Sequence, residues 1–241
     1  MFDLKNKIII VTGSNRGNGK SIADGLHKAN ATVIRADIAF DDSGEDYYEF
    51  DVTHASSIKD FISDVYKKYG SIYGLVNNAG VSIGSSEPYS DNDAYHQTLS
   101  VNLNAAFELC SAVLPKMAKE KTGAIVNITS LGAELGFAGN PSYQISKAGL
   151  RQMTKALAKD WGAFGIRVNN LCPGYIQTSM TQKSFDDPIL HATRKNKTVL
   201  GRWGKSEDLV GPAIFLLSEA SSYVTGTDLY VDGGWTSNAG I

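Results

Sequence analysis

Short runs of apolar, mostly β-branched residues alternate along this chain with longer segments in which apolar residues recur every three or four positions. The short runs predict strands at residues 8–11, 32–34, 75–77, 124–128, 167–171 and 229–231. The longer segments predict one helix that begins near Lys20 and three more that span about residues 58–69, 91–119 and 142–161. The helix over 91–119 is predicted to be interrupted at Pro115. Such alternation is typical of a parallel sheet covered on both faces. We therefore predict an α/β fold, a doubly wound parallel sheet, with residues 1–241 forming a single domain.

Composition and charge narrow the classes of function. The chain has 23 basic and 25 acidic side chains among 241 residues, so no basic surplus suggests a nucleic-acid partner. No apolar run is long enough for a membrane span, and we expect a cytoplasmic protein. The two cysteines, Cys110 and Cys172, and the four histidines lack metal-ligand spacing, so we expect no metal.

A glycine-rich turn follows the first strand and leads into the first helix. At such a junction, backbone N–H groups can approach a pyrophosphate, and the helix N-terminus adds partial positive charge. The strand before the turn and the helix after it favour this interpretation over a plain turn. Asn18 is an unusual residue between the last two glycines, but its backbone N–H can still face a phosphate, and asparagine tolerates unusual turn angles. The turn predicts dinucleotide contacts from Gly13, Asn15, Arg16, Gly17, Asn18 and Gly19.

An acidic residue at the end of the second strand bears on which nucleotide binds. Asp37 follows the glycine turn by about 20 residues, where a carboxylate can bind the adenosine ribose hydroxyls. It favours NAD, because a carboxylate would repel the 2′-phosphate of NADP. Arg16 and Arg35 could bind that phosphate, so NADP stays open. Asp51 and Val52 follow a third short strand and are predicted to flank the adenine.

Tyr143 and Lys147 stand four residues apart in a predicted helix, which places both on one face. A tyrosine with an ordinary pKa near ~10 needs about 4 kcal/mol of stabilisation of its charged form to exchange protons at neutral pH. An ammonium about 4 Å away at an effective dielectric constant of ~20 supplies roughly that much. The pair therefore predicts a tyrosine whose pKa is lowered by its lysine neighbour.

Taken in order, these motifs resemble those of the short-chain dehydrogenase/reductase family over nearly the whole chain. The resemblance rests on the glycine turn, Asp51, residues 77–80, Asn102, Ser130, the Tyr143–Lys147 pair and Pro173–Gly174. It implies hydride transfer between a nicotinamide nucleotide and a substrate carbon, with Tyr143 as general acid or base. It also implies that Lys147 holds the nicotinamide ribose, that Ser130 binds the substrate oxygen and that Asn102 positions a proton-relay water. The further cofactor contacts that it implies are Asn78, Ala79, Gly80, Tyr143, Lys147, Pro173, Gly174, Ile176 and Thr178.

The segment of about residues 179–203 is predicted to be a mobile cover over the substrate, and its basic side chains could attract a carboxylate or phosphate. Glu134 and Asn140 supply polar contacts near Ser130 and Tyr143. We therefore expect a small hydroxylated substrate, a sugar, sugar acid or polyol. The stretches 2–4, 201–204 and 231–235 are similar to sugar-acid members of the family such as gluconate 5-dehydrogenases.

Two other functions stay open at this point. One is an NADPH-dependent 3-oxoacyl-thioester reductase, which Arg16 would suit. The other is a non-catalytic nucleotide-sensing protein, which would have no use for Ser130, Tyr143 and Lys147. The family resemblance also implies a homotetramer that pairs the helices of 91–119 and 142–161, consistent with the apolar Leu103, Phe107 and Val113.

Overall fold

The sheet is parallel throughout. The computed structural model describes residues 1–84 and 92–238. The strands run in the spatial order β3-β2-β1-β4-β5-β6-β7, so the winding direction reverses between β1 and β4. Open α/β sheets bind ligands at the carboxyl ends of the strands beside such a reversal. The seven strands are β1 Ile8–Thr12, β2 Thr32–Asp37, β3 Tyr47–Glu49, β4 Gly74–Asn77, β5 Gly123–Ile128, β6 Ile166–Pro173 and β7 Asp228–Val231.

Helices cover both faces of this sheet, which confirms the predicted doubly wound fold. One buried cluster includes Ile22, Leu26 and Leu216 beneath α1 and α8. The other includes Phe61 and Leu109 beneath α2 and α4, with residues of α5 packed against it. The helices are α1 Gly17–Lys28, α2 Ala55–Tyr69, α3 Asn92–Leu99, α4 Ala105–Glu120, α5 Pro141–Trp161, α6 Gln182–Asp186, α7 Pro188–Lys197 and α8 Val210–Leu217.

The segment predicted as one long helix from about 91 to 119 is two helices joined by a π-turn, Ser100–Asn104. Position 91 lies outside the described residues. The predicted interruption at Pro115 is wrong, because α4 continues through it to Glu120. Pro115 and Ser111 are both exposed, so the carbonyl that loses its helical partner can bind water.

Within residues 1–84 and 92–238, no helix combines the length and apolar character that crossing a membrane requires. In the same part of the chain, no three His, Cys, Asp or Glu side chains are grouped so as to hold a metal ion.

Candidate active site

The predicted site residues follow four neighbouring strands at one edge of the sheet. Val11 of β1 is level with Val76 of β4, and Val76 is level with Val126 of β5. Since parallel strands end on the same side, the segments after β1, β4, β5 and β6 meet there. These segments carry the glycine turn, residues 78–80, Ser130 and Gly174.

The turn after β1 needs glycine for steric reasons. Gly13 has a φ of +64°, and a Cβ on it would lie 2.8 Å from the Cα of Ala79. A Cβ on Gly19 would lie 2.0 Å from the carbonyl oxygen of Gly13. The amide of Asn78 donates to the carbonyls of Thr12 and Gly13, both at 2.9 Å. The turn is therefore fixed against the segment after β4, with space only for backbone.

The beginning of α1 suits a pyrophosphate. Arg16 is the N-cap residue, and its side chain makes no capping hydrogen bond to the first turn. First-turn N–H groups without a side-chain cap can serve an anion, and this helix end carries partial positive charge. Asn18 accepts a hydrogen bond from Ser206 Oγ at 2.9 Å. This contact gives the unusual asparagine a structural role, since it ties the glycine turn to the segment that follows residues 179–203.

Asp37, which is predicted to bind the adenosine ribose, ends β2 beside the glycine turn. Its carboxylate accepts hydrogen bonds from the backbone N–H groups of Asn15 and Ile38, both at 2.8 Å. Arg35 forms an ion pair with Asp24 across a part-buried contact, whereas the side chain of Arg16 is exposed. Among residues 1–84 and 92–238, Arg35 is therefore paired with an acidic side chain, whereas Arg16 forms no ion pair.

Asp51 stands in the turn that follows β3, with Val52 beside it. Its Oδ1 accepts hydrogen bonds from the N–H and the hydroxyl of Thr53, both at 2.8 Å. The backbone hydrogen bond from Thr53 is the main cause that lowers the pKa of Asp51. The carboxylate therefore stabilises its own turn, and the predicted adenine contact of Asp51 and Val52 stays a prediction.

Tyr143, Lys147 and Ser130 come together where α5 passes over the end of β5. The Lys147 ammonium donates to the carbonyl of Ile128 at 2.7 Å and lies 5.8 Å from the centre of the Tyr143 ring. Ser130 Oγ accepts from Gly132 N–H at 3.1 Å. A side chain on Gly132 would lie within 4 Å of both Ser130 Oγ and the Tyr143 ring.

The protonation states differ from the sequence-based expectation. Burial raises the pKa of Tyr143, and a hydrogen bond with Ser130 acts in the opposite direction. Burial also lowers the pKa of Lys147 to about 8. The expected lowering of the tyrosine pKa by the lysine is not seen, because burial of the phenol raises its pKa and the ammonium is bound to the Ile128 carbonyl. Lys147 is instead a buried cation that can lose its proton near neutral pH.

Asn102 lies in the π-turn and is buried. Its Oδ1 accepts from Val81 N–H at 2.8 Å, and its Nδ2 donates to the Val81 carbonyl and to Ser146 Oγ, at 2.9 and 3.0 Å. A Cβ on Gly80 would lie 3.3 Å from Asn102 Oδ1 and 3.5 Å from Lys147 Nζ. Asn102 and Lys147 thus both lie beside Gly80, where an added Cβ would be in tight contact with the Asn102 amide. The water-positioning role of Asn102 stays a prediction.

A second polar cluster holds α5 farther along, and the sequence analysis missed it. Thr154 Oγ1 accepts from Asn127 Nδ2 of β5 at 2.7 Å and lies 2.6 Å from Asn170 Oδ1 of β6. All three side chains are fully buried. The available signal was two asparagines inside otherwise apolar strands and a threonine seven residues after Lys147, on the same helical face. The cluster sets the rotation of the helix that carries Tyr143 and Lys147.

Glu134 and Asn140, predicted to contact substrate, have protein partners. Glu134 pairs with Arg151 and accepts a hydrogen bond from the Tyr230 hydroxyl at 3.1 Å. Asn140 caps α5 by accepting from Tyr143 N–H at 3.2 Å, and its amide donates to Ser82 Oγ at 2.8 Å. Both residues support the walls of the site, and their contact with substrate stays a prediction.

The segment after β6 borders both the glycine turn and the predicted cover. Gly174 N–H donates to the Val231 carbonyl at 3.0 Å, and Ile176 pairs with Gly204. The Thr178 methyl group would lie 3.6 Å from a Cβ on Gly17, so Thr178 lies beside the glycine turn. Pro173 ends β6 next to them.

Tyr175 is a residue of this region that the sequence analysis missed, although it directly follows Pro173–Gly174. Its ring centre lies 5.5 Å from that of Trp203, 5.0 Å from that of Trp235 and 6.2 Å from that of Phe137. Phe137 follows the short helix after Ser130, and Trp203 ends the predicted cover. The tyrosine therefore links the floor of the site to the segment 179–203.

Comparison with known proteins agrees with this geometry. A family model of the short-chain alcohol dehydrogenases, described as enoyl-(acyl carrier protein) reductase, matches residues 13–236. The gluconate 5-dehydrogenase of Gluconobacter oxydans is 36% identical over 249 residues, which cover 98% of this chain and 97% of the relative. The 3-oxoacyl-[acyl-carrier-protein] reductase of Thermotoga maritima is 35% identical, covering 96% and 98%. A gluconate 5-dehydrogenase structure from Burkholderia cenocepacia, in complex with NADP and tartrate, has a TM-score of 0.92 and 33% identity, covering 98% and 97%.

Proposed function

Because the chain belongs to the short-chain dehydrogenase/reductase family, we propose that it interconverts an alcohol and a ketone of a small hydroxylated acid, a sugar acid. The chain is a nicotinamide-dependent oxidoreductase that acts on CH–OH and C=O groups. The observation that carries the proposal is the meeting of Ser130, Tyr143 and Lys147 at the sheet edge that also holds the glycine turn. Relatives of 33–36% identity that are named for gluconate and its keto acids support the substrate class.

Each of the three residues has a distinct task in this proposal. The Tyr143 hydroxyl donates a proton to the substrate oxygen in reduction and accepts it in oxidation. Ser130 shares a hydrogen bond with that phenol and stabilises charge on the same oxygen. Lys147, with a pKa lowered to about 8 by burial, can pass a proton onward from beneath the tyrosine. Asn102 fixes the backbone at Val81 and the Ser146 hydroxyl, which donates to the Tyr143 carbonyl at 2.7 Å.

The residues present fit a nicotinamide dinucleotide. Its pyrophosphate would lie against the backbone of Gly13, Gly17 and Gly19, where a Cβ on Gly13 or Gly19 has no room. The nucleotide, when bound, supplies or accepts the hydride. We propose NAD as the preferred form, because Asp37 is fixed by two backbone hydrogen bonds and its charge opposes a 2′-phosphate. The exposed Arg16 keeps NADP open, and the Burkholderia neighbour was crystallised with NADP.

The segment of residues 179–203 is proposed as the cover of the substrate site. Its two short helices, α6 and α7, are joined to the rest of the site through Trp203, whose ring N–H donates to the His191 carbonyl at 3.2 Å. Ile189, Val199 and Leu200 are strongly exposed within it. Exposed apolar side chains on short helices suit a segment that gains contacts when it closes.

A kinetic panel tests the proposal. Purified protein is assayed with NAD and NADP against gluconate, a 5-keto sugar acid, a neutral polyol and a 3-oxoacyl thioester. We expect the highest kcat/KM on a sugar acid, and a higher value with NAD than with NADP. Rapid turnover of the thioester with NADPH and none of the sugar acids would favour the second candidate, a 3-oxoacyl-thioester reductase, for which the Thermotoga relative is the supporting observation. Binding of nucleotide without turnover of any substrate would favour a sensor.

We also propose a homotetramer in the cytoplasm. Phe107 of α4 and Ile145 of α5 are 52% and 44% exposed, on the two helices expected to pair between subunits. Val113, which the sequence analysis grouped with them, is fully buried in the core and cannot contribute. Light scattering at assay concentration tests the assembly, and cell fractionation tests the location.

A further inference from the structure

Arg194 differs from the other cations of the predicted cover. Its guanidinium carbon lies 4.3 Å from the centre of the Tyr175 ring and 5.8 Å from that of Trp203. The side chain is half-buried, whereas Lys195 and Lys197 are exposed. Arg202 is neutralised by Asp208, with two hydrogen bonds of 2.7 and 2.9 Å. Arg194 is thus the cover's one cation held over aromatic rings, within the part of the chain that the structure describes.

The charge of Arg194 has no acidic partner in residues 1–84 and 92–238. An arginine stacked on a ring uses the face of its guanidinium group, which leaves the N–H groups at its edge free. Those edge donors match a carboxylate in a two-point hydrogen bond. The group is therefore oriented by Tyr175 and still able to bind an anion.

The position of Tyr175 connects this cation to the reacting groups. Tyr175 directly follows Pro173–Gly174, and its ring contacts that of Phe137, which follows the short helix after Ser130. The backbone N–H of Phe137 donates to Oε1 of Gln144, the residue that follows Tyr143, at 2.7 Å. Arg194 is therefore connected through the rings of Tyr175 and Phe137 to the beginning of the helix that carries Tyr143.

We propose that Arg194 binds the carboxylate of the substrate and so selects acids over neutral sugars and polyols. This inference rests on the sugar-acid function proposed above. The aromatic rings around the guanidinium exclude water and strengthen its hydrogen bonds to an anion. The cation is carried by α7 of the cover, so its contact with the substrate would also hold that segment closed.

The test compares a charged substrate with a neutral analogue of the same size. Arg194→Met removes the cation and keeps a long apolar side chain over Tyr175. Wild type and variant are assayed with the favoured nucleotide on gluconate and on gluconamide, which has the same hydroxyl groups and no charge. We expect the variant to raise KM for gluconate about 10- to 100-fold, the loss of a charge-assisted hydrogen-bonded pair, with kcat little changed. KM for gluconamide should stay near the wild-type value.

Lys195→Met is the matched control, since it removes the same charge from the adjacent, exposed position. It should leave the gluconate KM nearly unchanged, which excludes a general effect of net charge. Arg194→Lys keeps the charge without the planar donor edge, and we expect a smaller rise in KM for gluconate alone. Should Arg194→Met fold poorly, as seen by a lower thermal midpoint, the lysine variant carries the test.

Three results would overturn the inference. Equal losses on gluconate and gluconamide would mean that Arg194 only supports the cover. A weaker nucleotide Kd, measured by fluorescence titration, without a change in acid selectivity would assign the guanidinium to the cofactor. An unchanged gluconate KM in both Arg194 variants would show that Arg194 does not bind the substrate carboxylate, and it would leave the proposed function intact. Failure of the proposed function is a separate observation, namely that the wild-type protein turns over no sugar acid.

Discussion

Lys147 should destabilise the folded chain at neutral pH, and removing it should make the protein more stable. Burial lowers its pKa from 10.5 to about 8. At 1.36 kcal/mol per pH unit, keeping the ammonium in this place costs about 3 kcal/mol. Lys147→Met removes that cost and also the hydrogen bond to Ile128, which contributes about 1–2 kcal/mol. We expect the variant to be about 1–2 kcal/mol more stable at pH 7, although it loses turnover.

The pH dependence of this difference gives the sharper test. Between pH 8 and 10.5 the unfolded chain holds a proton on Lys147 that the folded chain has released, so the wild type gains stability as the pH rises through this window. Below pH 8 the folded chain bears the full free-energy cost of the buried ammonium, and above pH 10.5 that cost is absent. The advantage of Lys147→Met should therefore fall by about 3 kcal/mol from pH 7 to pH 10.5 and change sign.

Urea unfolding at both pH values measures this difference, because the effects of other titrating groups cancel between the two proteins. Lys159→Met, on an exposed position of the same helix, is the control and should shift stability by less than about 0.5 kcal/mol at either pH. A difference between wild type and Lys147→Met that stays constant with pH would refute the buried-cation reasoning.

Two further predictions concern the parts that hold the site in place. Thr154→Val removes the buried hydroxyl that binds Nδ2 of Asn127 and Oδ1 of Asn170, and we expect a loss of about 2–4 kcal/mol in urea unfolding, against less than about 0.5 kcal/mol for the exposed Thr193→Val. Similar losses for the two variants would contradict the role of the buried cluster. Gly19→Ala forces the turn to move, because the new Cβ would lie 2.0 Å from the Gly13 carbonyl, and nucleotide Kd should rise at least about tenfold. Gly211→Ala, whose Cβ meets nothing within 4 Å, should bind nucleotide normally, and normal binding by Gly19→Ala would exclude the turn from the cofactor site.

Much of the fold could be predicted from local patterns. The β-branched runs gave six of the strands, because a strand buried on both faces is apolar throughout, as in Ile9, Ile10 and Val11. The helix α5 was predicted to within one residue at its start, where the structure shows Pro141 as the first residue and Asn140 as the cap. The π-turn at Ser100–Asn104 was missed, because the residues before and after it each keep ordinary helical spacing and the short turn between them has no sequence signal of its own.

The site could be predicted as a set of residues but not as a set of contacts. Motif spacing indicates that Tyr143 and Lys147 share a helical face, and the structure places them so. Spacing does not reveal that the Ile128 carbonyl attracts the ammonium, because that contact spans different elements. For the same reason, the sequence does not predict the buried hydrogen bonds of Thr154 or the contact between Arg194 and the ring of Tyr175.

The proton exchange at Tyr143 is tested most directly by Tyr143→Phe, which removes one oxygen from the site. Nucleotide Kd should stay near the wild-type value, because the glycine turn and Asp37 are untouched. The kcat on the favoured substrate should fall at least about 100-fold, the usual contribution of a positioned acid or base. A variant that binds nucleotide and keeps the wild-type kcat would show that the phenol takes no part in the reaction.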